Sequence, residues 1–112
     1  MRPDDRIRLQ HVADALEAAM SFAQGRKRDD LDTDRMLLFA LIHAIQIVGE
    51  AASKTSGELR SDHPEVPWTE IIGMRHKLVH AYYDVNPGIL WATVTKSVPH
   101  LLADVKRLLA SS

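Results

Sequence analysis

The chain has 112 residues, 46 % hydrophobic and 26 % charged, with 14 Lys+Arg against 15 Asp+Glu for a formal net charge of -1; this describes one compact soluble domain over residues 1–112 and excludes a disordered chain. The absence of cysteine removes disulfide staples and thiolate metal sites, and suits a reducing, cytoplasmic home. A near-neutral charge balance argues against nucleic-acid binding by net field, so any such site must be local.

The polar start, MRPDDRIRLQ, lacks the apolar stretch of a secretory signal. Pro3 and the aspartates after it open a first helix over about Asp4 to Ala23, in which Leu9, Val12, Leu16, Met20 and Ala23 recur at steps of three and four. Gly25 ends it. In the charged connector RKRDDLDTD, Asp32 is the expected cap of a second helix, about Thr33 to Thr55, and its acids oppose the positive end of the helix dipole. Met36, Leu37, Leu38, Phe39, Leu41, Ile42, Ile45, Ile47 and Val48 cover more than one face of that helix, which should be the most buried element. Its uninterrupted apolar run, Met36 to Ile42, is short of the roughly 20 residues that cross a bilayer, so no membrane partner is expected.

Within the same helix His43 and Gln46 read as hydrogen-bonded core polars or as residues facing a second subunit, the first being the commoner role. Gly49 permits close helix approach at a cost in helix propensity. Glu50 reads either as a structural hydrogen-bonding group or as part of a site. GELRSDHPEVP is a turn-rich loop that ends with Pro67 at the first position of a third helix, about Trp68 to Tyr82. Asn86 then caps, and Pro87 opens, a fourth helix that ends near Ala110. Pro99 should kink or split it into Ile89 to Val98 and His100 to Leu109, with Leu101, Leu102, Val105, Leu108 and Leu109 keeping the second piece amphipathic. The predicted architecture is an all-α, antiparallel bundle of four to five helices without strands. A domain of about 100 residues buries only about two-thirds of its unfolded surface, which with the apolar second helix points to a homodimer.

Chemistry concentrates in IIGMRHKLVHAYYD, where Arg75, His76, Lys77, His80, Tyr82 and Tyr83 crowd together with no acid until Asp84. On an ideal helix, at about 100° per residue, Arg75 and His80 stand about 140° apart and flank rather than touch, unless the helix ends near His80. RNA cleavage without a metal needs a group near neutral pKa to move protons and a fixed cation at the phosphoryl oxygens, tasks that suit histidine and arginine. The plainer reading of the same residues is a solvated surface helix, and spacing alone does not decide. A zinc site at His76 and His80 is disfavoured because Lys77 stands where a zincin needs its catalytic glutamate, and His43, His63 or Asp84 would have to complete the ligand set. No cofactor is expected; no Gly-rich phosphate loop and no nucleophile elbow occur.

Arg75-His76-Lys77-Leu78-Val79-His80-Ala81-Tyr82 resembles the R-x4-H-x-Y motif of the HepT-like HEPN toxins. Ile47-Val48-Gly49-Glu50-Ala51-Ala52, Pro67-Trp68, Asn86-Pro87 and Leu90-Trp91 are similar to the same family, so the likeness spans most of the chain. The resemblance implies a helical homodimer acting as a metal-independent endoribonuclease. Arg75 would stabilise the phosphoryl transition state and His80 would be the acid/base, while His76, where the family often carries asparagine, would orient RNA. It also implies a minimal nucleotidyltransferase antitoxin that transfers AMP to Tyr82, placing bulk and negative charge beside the cations RNA would use. Tyr83 is off the motif and reads as packing. The alternative that the resemblance leaves is a non-catalytic nucleotide-binding or substrate-binding subunit of a nucleotidyltransferase.

Overall fold

The computed structural model describes residues 1–81 and 84–111, and of Arg75, 77–81 and Asp84 the backbone alone. Helix α1, Pro3–Ala23, begins with proline in its first turn and Asp4 and Asp5 at the positive end of its dipole. It stops where Gly25 takes φ +73°, a left-handed conformation that costs glycine little. Leu9, Val12, Leu16 and Ala19 form its buried stripe, whereas Met20, expected in that stripe, is exposed.

The connector holds a short helix α2, Asp30–Thr33, and the cap of the next helix is Asp34 rather than Asp32. Asp34 accepts a hydrogen bond from the Leu37 amide at 3.1 Å and a second from Arg26 at 2.7 Å. The sequence places four aspartates within reach of that role; Arg26, which bridges Asp30 and Asp34, selects among them. Helix α3 runs Arg35–Ser53, with Leu41, Ile45, Val48 and Ala52 buried. By length and composition it is apolar enough to cross a membrane, a property that the uninterrupted run Met36 to Ile42 understates. Here it is the central helix, packed on α1 and on α5.

Part of the predicted loop is helical: α4, Gly57–Asp62, is capped by Ser56, whose hydroxyl accepts from the Leu59 amide at 3.1 Å. Helix α5 is Trp68–Leu78, four residues shorter than the expected helix to Tyr82. A short ladder replaces its end, with β1, Val79–Ala81, antiparallel to β2, Asp84–Val85. The expectation of no strand is thereby corrected. Val79 and Val85 are β-branched, and Asn86, held extended before Pro87, keeps the return segment out of helical conformation.

Asn86 caps α6, Pro87–Ala92, by accepting from the Ile89 amide at 3.1 Å. Five residues of π-helix, Thr93–Ser97, precede α7, Val98–Ala110. The split expected around Pro99 therefore falls ahead of it. Pro99 sits in the first turn of α7, where its missing N–H is tolerated, and the Val98 amide bonds back five residues to Thr93. Leu101, Leu102, Val105 and Leu108 are buried in one core with α1 and α3.

Pairings at the helix ends fix the directions. Asp5 near the start of α1 meets Ser56 after α3, while Arg26 after α1 meets Asp34 before α3. Arg6 meets the Leu109 carbonyl at the end of α7, and Glu17 meets Lys106. Both α3 and α7 thus run antiparallel to α1, giving the all-α antiparallel bundle.

Asp5 is only 4 % exposed. Burial pushes its carboxyl upward, but hydrogen bonds from the Ser56 hydroxyl and amide, at 2.6 and 2.7 Å, outweigh it, and with Arg2 they leave Asp5 below the ordinary carboxylate range. A carboxylate depressed on folding contributes stability above its unfolded pKa and loses it as pH falls through the folded value. Asp5→Ala is expected to cost about 1–3 kcal/mol at neutral pH, with the gap to the unmodified chain closing below about pH 4. Thermal melts across pH 3 to 7 measure this; a pH-independent gap would assign the effect to packing.

Candidate functional site

The motif segment begins in the last turn of α5. Ile71 and Met74 turn into the core, and His76, on the opposite side of that turn, is exposed. Arg75, His76 and Lys77 all fall near the C-terminal end of α5, where the helix dipole favours cations. His80 is the middle residue of β1. The helix-wheel separation between Arg75 and His80 therefore does not apply, because α5 ends at Leu78, two residues before the histidine. The side chains of Arg75 and His80, and Tyr82 and Tyr83 entirely, lie outside the described residues.

What holds this segment is the contact of α5 with α3. A Cβ added at Gly49 would lie 3.3 Å from the Ile72 carbonyl oxygen and 3.8 Å from that of Ile71. The backbones of α3 and α5 thus approach closely one turn ahead of Arg75, the close approach expected of Gly49. Trp68 anchors the start of α5: its indole N–H donates to the His63 carbonyl at 2.9 Å while the ring is buried. Glu65, beside that anchor, lies below the ordinary carboxylate range, foremost through a backbone amide hydrogen bond and also through His63 at 3.3 Å.

Next to Gly49, Glu50 is exposed, as is His43, and Gln46 is half-buried. Together with Ile47 these residues line a cavity of about 200 Å³ on α3. Among the described residues none of the three polar side chains makes a hydrogen bond or ion pair. Exposed His43 is therefore not a core polar, and among the described residues no partner supplies the hydrogen bonds considered for Gln46 and Glu50. Met36 and Phe39, expected in the core, are 83 % and 55 % exposed on the same helix. Sequence reasoning missed this surface because it counted apolar residues; the available signal was the spacing 36, 39, 43, 46, 50, which repeats at three and four.

A family model described as "Ribonuclease HepT-like" matches residues 12–108. The chain is 38 % identical over 101 residues to a protein of Caldanaerobacter subterraneus subsp. tengcongensis that bears the name "Putative RNase", covering 90 % of each chain. It is 36 % identical over 100 residues to the "Probable ribonuclease HepT" of Thermococcus cleftensis, covering 89 % of this chain and 91 % of that one. A Methanocaldococcus jannaschii protein named "Gamma-glutamylcyclotransferase and putative RNase" is 31 % identical over 109 residues, 97 % of this chain and 49 % of the longer protein. No solved structure matches the chain significantly.

The Gly49 contact can be tested directly. Gly49→Val would put a branched side chain against the Ile72 carbonyl and is expected to cost about 1–3 kcal/mol by overpacking, read as a lower unfolding midpoint in urea. An unchanged midpoint would show that α5 can move away freely.

Proposed function

We propose, from the premise that the chain belongs to the HepT-like ribonuclease family, that it is a metal-independent endoribonuclease acting as a homodimer in the cytoplasm. In this reading it is the toxin of a two-gene system. The observation that carries the reading is the complete R-x4-H-x-Y motif in the sequence, Arg75 to Tyr82, whose residues 75–81 span the junction of α5 and β1. That break frees the imidazole-bearing residue from the helical register of the guanidinium-bearing one. An acid/base and a fixed cation on independent elements can then address the two ends of one phosphodiester.

In the proposed reaction the ribose 2'-hydroxyl attacks the adjacent phosphorus, the bond to the 5'-oxygen breaks, and a 2',3'-cyclic phosphate remains. His80 moves the proton, Arg75 offsets charge on the phosphoryl oxygens, and the exposed His76 helps to hold the RNA. No metal takes part in these steps. A minimal nucleotidyltransferase antitoxin would silence the enzyme by transferring AMP to Tyr82, because phosphate charge next to Arg75 and His76 occupies the place of the substrate backbone.

His80→Ala is expected to lower RNA cleavage by about 100- to 10,000-fold and Arg75→Ala by about 100- to 1,000-fold, both measured in chelator and both relieving growth arrest on induced expression. Equal cleavage by all forms would refute the assignment. Tight nucleotide binding without cleavage would favour the non-catalytic subunit instead. After co-expression with a neighbouring nucleotidyltransferase, mass spectrometry is expected to show an AMP-sized adduct that Tyr82→Phe abolishes; an adduct retained in that variant would place the modification elsewhere.

A further inference from the structure

Residues 36, 39, 43, 46 and 50 of α3 form one stripe, and its two halves have opposite shapes. The N-terminal half projects Met36 and Phe39 into solvent, with the Arg35 guanidinium 5.4 Å from the centre of the Phe39 ring. The C-terminal half is the cavity of about 200 Å³ bounded by His43, Gln46, Ile47 and Glu50. Charge is divided likewise, with Arg35 at one end and Glu50 at the other. A surface whose one half fits its other half satisfies the requirement of an isologous interface, in which each patch meets itself through a two-fold axis.

We infer that a second copy of this chain docks on this stripe, with the two α3 helices antiparallel and crossing at His43. The inference rests on the homodimer proposed above and adds the surface and the register. In this arrangement Phe39 enters the partner's cavity over Gln46 and Ile47, Met36 lies opposite Glu50, and each Arg35 comes beside a partner Glu50. A parallel arrangement would set Arg35 on Arg35 and Glu50 on Glu50 and leave both cavities empty, so charge and shape select the same direction. Pairing also supplies polar surroundings for His43, Gln46 and Glu50.

The absence of cysteine from this chain makes disulfide trapping unambiguous. His43→Cys is expected to give a covalent dimer under mild oxidation. Met36→Cys alone should give none, because with a rise of 1.5 Å per residue the two copies of position 36 lie about 21 Å apart along the axis. Met36→Cys combined with Glu50→Cys should cross-link. Arg35→Glu should weaken association roughly tenfold, and adding Glu50→Arg should restore it. A chain that sediments as a dimer yet fails to cross-link at position 43, or that cross-links through Met36→Cys alone, overturns this interface and leaves the dimer standing. So does a double charge reversal that restores nothing. A chain that sediments only as the 12.6 kDa species at micromolar concentration removes the dimer itself.

Discussion

The placement of the motif segment depends on a backbone contact, the approach of Gly49 in α3 to the Ile72 carbonyl of α5. Helix α5 finds most of its tertiary contacts on α3, and a side chain at position 49 would hold the two apart. Arg75 and His76 stand about one turn beyond that contact, so the cationic end of α5 inherits its position from a residue that offers no side chain. Among the described residues, what positions this end of α5 is its packing against α3.

The platform beneath is the antiparallel pair of α1 and α3, closed at both ends by carboxylates. At one end buried Asp5 gathers the Ser56 amide and hydroxyl, and that hydroxyl in turn caps α4. At the other, Arg26 holds Asp30 and Asp34, both lowered below the ordinary carboxylate range, Asp34 foremost by Arg26 and Asp30 foremost by the Lys27 amide. The two clasps differ in weight. Exposed pairs such as those of Arg26 contribute little individually, whereas the buried carboxylate of Asp5 cannot lose its donors cheaply. Helix α7, which follows the π-helical turn ahead of Pro99, packs on α1 as well.

Helix α3 serves three neighbours at once: it packs on α1, it meets α5 through Gly49, and it turns Met36, Phe39, His43, Gln46 and Glu50 toward solvent, with Leu41, Ala44 and Val48 buried. A helix apolar on nearly every side is ordinarily buried on every side. This one leaves Met36 and Phe39 open to solvent beside the polar His43, Gln46 and Glu50.

Much of this was written in the sequence. Steps of three and four in α1 and α7, proline at helix starts, Asn86 before Pro87 and glycine after Ala23 are local rules that hold wherever the chain goes. Helix class and most boundaries followed from them, while the motif was legible through its resemblance to a family pattern. Where several residues could do one job, the sequence could not choose. Asp34 rather than Asp32 caps α3 because Arg26 holds it there, and Ser56 starts α4 because Asp5 arrives from fifty-one positions away. The end of α5 at Leu78 was likewise decided by pairing with Asp84 and Val85, a contact that periodicity cannot register. Apolar periodicity also records that a residue avoids water without recording what covers it, so only the tertiary packing separated Leu41, sealed in the core, from Met36 and Phe39 on the open side of the same helix.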